Sequence, residues 1–162
     1  MEFKSLYSAY SAKIFRLCMG YINNEEKARD ITQETFIAVW QNLDRFRGDA
    51  SIGTWIFKIA VNKCLQQLKS DKRQKEKLAN YPVGVLSELS DMDLEVKEKR
   101  KLLYDCIAQL PEADRLLIGL YLEDLPQDKI SEIMGISHSN VRVKIHRIKS
   151  FLTEKVKKNG KF

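Results

Sequence analysis

A chain of 162 residues with 44% hydrophobic content is long enough to form one domain or two small ones with real cores. Three prolines and seven glycines argue against disorder, and no apolar run approaches the ~20 residues that span a membrane. The net charge of +6 divides as +5 over residues 1–75, −4 over 76–98 and +5 over 99–162, a pattern of two polyanion-binding units joined by a linker of opposite sign.

The opening MEFKSLYSAY is no basic-then-apolar signal sequence, so a cytoplasmic location is expected. Cys18, Cys64 and Cys106 are odd in number and each embedded in an apolar helical pattern, which predicts buried thiols rather than disulfides. His138 and His146 have no cysteine pair at metal-ligand spacing, so neither zinc nor any other cofactor is expected.

Phe3, Leu6, Tyr7, Tyr10, Ile14, Leu17, Cys18 and Tyr21 recur at helical spacing and predict a core-facing first helix whose tyrosines pack. Asn23-Asn24 marks a turn. In the second helix Ala28, Ile31, Thr35, Ala38 and Val39 form an apolar face, widened by Phe36, Trp40 and Leu43. Asp30, Gln33 and Glu34 make a polar cluster one turn long, either a solvated face or half of a protein-binding surface.

The stretch DRFRGDASIGTW, Asp44 to Trp55, reads as a loop that must approach another molecule closely. A third helix is predicted from Ile52 to about Gln74, with Ile52, Trp55, Ile56, Ile59, Ala60, Cys64 and Leu68 on its buried side. Lys58, Asn62, Gln66, Lys69 and Arg73 run along it as a polar, basic ridge. Beside an arginine-bearing loop, such a ridge suits single-stranded or melting DNA; alone, it would be the wet side of a helix.

Residues 76–98 hold Pro82, Gly84 and the acidic run, and read as a linker. Fully extended it reaches at most roughly 75 Å, on the order of 20 base pairs of B-DNA. The second block opens with a helix around Leu102 to Leu110, stopped before Pro111, and another that turns Leu116, Leu117, Leu120 and Tyr121 inward.

Pro126 to Leu152 then reads as a helix-turn-helix. Ile130, Ile133 and Met134 share one face of a short helix, and Gly135 is suited to the left-handed conformation that ends it. Ile136 fills the corner and Ser137 is a good N-cap for the second helix. There Val141, Ile145, Ile148 and Leu152 form a buried stripe, backed by Arg142, His146 and Lys149 and flanked by Ser139, Lys144 and Arg147. From Arg142 to Phe162 eight bases face one acid, Glu154. A helix entering the major groove needs this combination; a solvated helical hairpin is the plainer alternative.

DITQETFIAVW followed by FRGDASIGTWIFKIAVN resembles regions 2.2 to 2.4 of an extracytoplasmic-function (ECF) sigma factor of the sigma-70 family. LPEADRLLIGLYLEDLPQDKISEIMGISHSNVRVKIHRIKSFL resembles its region 4. The resemblance implies an all-α protein of two small helical domains, 1–75 and 99–162, joined by a flexible acidic linker threading toward the RNA-exit channel of RNA polymerase. It implies that Asp30, Gln33 and Glu34 grip the core polymerase, a complex that includes the β and β′ subunits. Phe46, Arg47, Gly48, Asp49 and Ser51 would hold a base flipped from the promoter −10 element, supported by Lys58, Asn62, Gln66 and Lys69. Ser139, Asn140, Arg142, Lys144, His146, Arg147 and Lys149 would meet the −35 element. Such a protein is not an enzyme; it recognises and opens promoter DNA, and is usually restrained by an anti-sigma factor, often membrane-anchored. A sigma mimic that titrates an anti-sigma factor without binding DNA would keep the same fold. A conventional helix-turn-helix regulator would need neither DITQETF nor FRGDAS.

Overall fold

Asn23 and Asn24 divide the labour at the first turn. Asn23 takes the left-handed conformation (φ 47°) and donates its N–H to the Met19 carbonyl, ending helix α1, Phe3–Ile22. Asn24 then accepts from the Lys27 N–H and starts α2, Glu25–Asn42, whose first-turn Glu25 and Glu26 suit the positive end of the helix dipole. The computed structural model describes residues 2–74 and 93–160, with 68–74 as backbone only. The side chains of Leu68, Lys69 and Arg73, and residues 76–92 of the expected linker, therefore lie outside the described residues.

After a 3-10 turn at Leu43–Arg45, α3 runs over Ile52–Gln74. Ser51 starts it, its hydroxyl accepting from the Thr54 N–H at 3.2 Å and meeting the Thr54 hydroxyl at 2.7 Å. Helices α4 (Leu94–Ile107), α5 (Glu112–Leu122), α6 (Gln127–Met134) and α7 (His138–Asn159) complete the described chain, which contains no strand. The expected all-α architecture is found. Helix α4 starts earlier than Leu102 because Asp93 accepts from the Glu95 N–H, although the local sequence is acidic and polar.

Thr32 and Thr35 lie buried on α2 because their hydroxyls donate to the carbonyls of Ala28 and Ile31, so neither brings an unpaired polar group inside. Gly53 lets α3 approach α1: a Cβ there would stand 2.8 Å from the Tyr10 hydroxyl oxygen. Val61 and Phe57 are buried beside the expected Ile56, Ala60 and Cys64. All three cysteines are buried and free, with Cys18 Sγ 3.8 Å from Cys64 Sγ.

The two helical groups share one apolar core, joined where α1 packs on α5. Leu17 of α1 and Leu116, Leu117 and Leu120 of α5 are buried, each contributing about 1.5–3 kcal/mol relative to exposure. Arg115 of α5 stacks 5.2 Å from the Tyr21 ring and donates to the Leu110 carbonyl at 2.9 Å. Burial, with Glu112 and Cys64 nearby and Arg115 opposing, pushes the Tyr21 phenol up to about 12.

Candidate nucleic-acid interface

The helix-turn-helix forms as its caps require. Pro126 leads into α6, and Gly135 closes it at φ 69°, donating to the Ser131 carbonyl. The Ser131 hydroxyl reaches over the turn to the Ile136 carbonyl. The Ser137 hydroxyl accepts from the Asn140 N–H at 3.1 Å and starts α7. Val141, Ile145, Ile148 and Leu152 are buried, leaving Ser139, Asn140, Arg142, His146, Arg147 and Lys149 exposed. The caps thus hold a basic, hydrogen-bonding surface away from the core.

Two cations of this surface already have protein partners. Lys144 is half-buried, its Nζ 3.3 Å from an Asp114 carboxylate oxygen, so it ties α7 to α5. Lys149 donates to the Tyr121 hydroxyl at 3.2 Å and lies 5.3 Å from that ring. Val143, 47% exposed, adds an apolar group to the wet face that charge patterning did not single out. Farther along, His146 and Lys149 join Thr153 and Lys157 around a shallow groove of about 580 Å³.

The loop before α3 forms a smaller pocket of about 320 Å³. The Phe46 and Trp55 rings stand with centroids 5.0 Å apart and planes 40° apart. Arg45, Arg47 and Lys58 put three cations around these rings, and Asp49 an acid. An aromatic wall among cations can take a flat base and its phosphates. Gly48 supports the bend at φ 78°. Of the residues expected here, Phe46, Arg47, Asp49 and Lys58 come together; Ser51 serves as the cap of α3. Asn62 and Gln66 are exposed farther along α3. Arg45 and Trp55 also line the pocket; both belong to the stretch read as a close-approach loop, although neither is among the expected −10 residues and helical spacing puts Trp55 on the buried side of α3. Glu132, which also lines the pocket, comes from α6, and no local signal connects it to this loop.

Helix α2 carries the third surface. Asp30, Gln33 and Glu34 are exposed, and Gln33 borders an apolar groove of about 550 Å³. Trp40 is 66% exposed, Ile37 55% and Tyr7 49%, so Trp40 does not widen the core face and Tyr7 does not simply pack inward. Phe36 is buried beneath them, its ring centroid 5.0 Å from that of Tyr7. A contiguous apolar patch with a polar rim marks a protein-docking surface.

Residues 6–74 match the model for sigma-70 region 2, and residues 100–152 the model for sigma-70 region 4. The ECF RNA polymerase sigma-E factor of Haemophilus influenzae is 30% identical over 95% of this chain and 87% of its own. The chain is a member of the ECF sigma factors. The ECF RNA polymerase sigma factor SigW of Bacillus subtilis is 29% identical over 96% of this chain and 89% of its own. The fold matches the sigma factor RpoE from Bartonella quintana, solved with the anti-sigma factor NepR, at TM-score 0.75 and 18% identity over 98% of each chain. It also matches CnrH, solved with the cytosolic domain of CnrY, at TM-score 0.72 and 18% identity over 98% of this chain and 89% of that one.

In this ECF sigma factor the region 2 match takes in the exposed residues of α2 and every lining residue of the loop pocket except Glu132. The region 4 match takes in the helix-turn-helix and ends at Leu152, ahead of Lys155, Lys157 and Lys158 at the end of α7. No helix among the described residues is long and apolar enough to cross a membrane.

Proposed function

We propose that this sigma factor divides promoter recognition among its three surfaces, with residues 1–75 as the polymerase- and −10-binding part and 99–162 as the −35-binding part. The α2 groove, lined by Gln33, Ile37 and Trp40 among others, with Asp30 and Glu34 on the same helix, docks on core RNA polymerase. The Phe46–Trp55 pocket takes a nucleotide flipped from the −10 element. Extrusion costs a few kcal/mol, offset by stacking on the rings and by phosphate contacts to Arg47 and Lys58.

Helix α7 enters the major groove of the −35 element. Arg142 and His146 read base edges, Ser139 and Asn140 contact the leading end, and Arg147 and Lys149 hold phosphates. Val143 is placed to meet a thymine methyl. Lys144 supports α7 through Asp114 and contacts phosphate from its exposed part. The chain performs recognition and strand opening in the cytoplasm and leaves bond chemistry to the polymerase. An anti-sigma factor restrains it, a reading supported by the matching fold of RpoE, which was solved with the anti-sigma factor NepR.

The observation that carries this reading is the pairing of an aromatic pocket ringed by cations with a separately capped, basic helix-turn-helix in one sigma factor. Transcription in vitro with core polymerase on a genomic DNA pool, followed by sequencing of run-off products, tests it. Discrete start sites that depend on the protein, and vanish with substitutions at Asp30 and Gln33, are expected. A chain that binds no core and starts no transcripts would instead be a titrating mimic.

A further inference from the structure

Helix α5 reaches the exposed side of α7 through one side chain. Helical spacing turns Tyr121 inward with Leu117 and Leu120, and its ring does pack against the core. The side chain is nevertheless only half-buried, and its hydroxyl oxygen accepts from the exposed Lys149 Nζ at 3.2 Å. The same ammonium lies 5.3 Å from the ring centroid, so ring and hydroxyl hold it together. A phenol hydroxyl has one proton to donate besides the lone pairs on which it accepts. With Lys149 donating to its oxygen, Tyr121 keeps that proton for a further acceptor.

The place of this pair along α7 says what the acceptor is. Arg142, His146 and Lys149 recur at i, i+4 and i+7 and share one face of the helix. Seven residues of helix rise about 10 Å, close to the ~12 Å width of a major groove. With Arg142 and His146 over base edges, Lys149 therefore comes to the groove wall, where the phosphates run. The surface continues outward: His146, Lys149, Thr153 and Lys157 line the shallow groove on α7, and its acid, Glu154, is countered by Lys158 at 3.5 Å. A phosphate at that wall meets an ammonium and a hydroxyl proton from two different helices.

We propose that Tyr121 and Lys149 form a two-helix clamp on one phosphate at the edge of the −35 element, the Tyr121 hydroxyl donating to a phosphate oxygen while Lys149 supplies the charge. This rests on the functional reading above, because it takes α7 as the −35 reader, and it adds a DNA contact from α5, outside the helix-turn-helix. The clamp itself has no base preference. It fixes how far α7 slides along its own axis, and so which base edges Arg142 and His146 reach.

The test uses RNA polymerase holoenzyme reconstituted with the full chain, on promoter fragments recovered by the run-off sequencing. Tyr121→Phe keeps the ring and removes the hydroxyl. It is expected to weaken closed-complex binding about tenfold, as loss of a hydrogen bond to a charged acceptor does, with the salt dependence unaltered. Lys149→Ala is expected to flatten the slope of log affinity against log salt by about 0.9, one counterion fewer being released. In the Lys149→Ala background Tyr121→Phe is expected to weaken binding further, which separates a donor to DNA from a prop for Lys149. Methylphosphonate substitution, one phosphate and one stereoisomer at a time, then locates the acceptor. At one position, in one stereoisomer, wild type and Tyr121→Phe are expected to bind alike. A gap between them at every position would overturn the proposal, as would wild-type affinity in Tyr121→Phe or no added loss in the Lys149→Ala background. Arg142→Ala is measured alongside. If it loses −35 discrimination while the Tyr121 arms fail, the clamp is wrong and the −35 reading stands. If wild-type holoenzyme does not distinguish the −35 element from a scrambled one, both fall.

Discussion

Phe46 and Trp55 stand with ring centroids 5.0 Å apart but with planes inclined at 40°, a wedge rather than a parallel stack, in a pocket that Arg47 and Lys58 also line. A base entering the wedge gains an aromatic face and two phosphate partners together. Phe46→Ala should therefore act on strand opening rather than on first binding. With stacking worth about 1–3 kcal/mol per base, open-complex formation is expected to fall about 5- to 150-fold. Permanganate reactivity of unpaired thymines reports that fall, while the affinity of the closed complex stays at the wild-type value.

Trp40 and Ile37 are the most exposed apolar side chains of the groove beside Gln33. Their removal leaves the core unaltered, so Trp40→Ala should change folding stability by no more than about 0.5 kcal/mol. Its binding to core polymerase is expected to weaken by about 2 kcal/mol or more, as for an aromatic anchor at the centre of an interface. Thermal unfolding and a core-binding titration of the same protein check the two halves of this expectation.

Arg142 and Lys144 lie two residues apart and have different surroundings. Arg142 is exposed, whereas Lys144 is half-buried against Asp114. Arg142→Ala should cost about 1–3 kcal/mol of discrimination at one base pair of the −35 element. Lys144→Ala should weaken binding similarly on all sequences and cost about 0.2–1 kcal/mol of stability with the lost pair. Affinity measured on a −35 substitution series separates them. On the same series, replacing one thymine by deoxyuridine should weaken binding of the wild type and leave Val143→Ala unaffected.

The buried thiols should be inert. Cys64 donates to or accepts from Cys18 at 3.8 Å, and this contact, together with burial, pushes its thiol well above the ordinary range. The reactive thiolate is correspondingly scarce at pH 8. An aromatic disulfide reagent should find none of the three cysteines reactive on the folded timescale and all three after unfolding in denaturant. Rapid reaction of Cys18 or Cys64 in the folded chain would contradict the packing of α1 on α3.

The parts of the structure that were legible in the sequence are those decided within a few residues. Gly135 and Ser137 identify the turn because one must be left-handed and the other must cap, and both do so. The stripe from Val141 to Leu152 follows from periodicity alone. Trp40 was misplaced because spacing groups an exposed aromatic with its buried neighbours, and exposure depends on which helix covers it. The start of α4 at Leu94 was hidden inside an acidic stretch that a single Asp93 cap converts into a helix. Glu132 in the loop pocket and Glu123 against Arg16 were out of reach, since each meets partners far along the chain through tertiary packing.

The most direct test of the division among three surfaces compares Trp40→Ala, Phe46→Ala and Arg142→Ala on one promoter with one core polymerase. Core affinity, closed-complex affinity and permanganate-reactive opening are measured for each. Three separable defects are expected: Trp40→Ala in core affinity, Phe46→Ala in opening, and Arg142→Ala in closed-complex affinity. The same step failing in all three variants, with the others unchanged, would contradict the assignment of separate tasks to these surfaces.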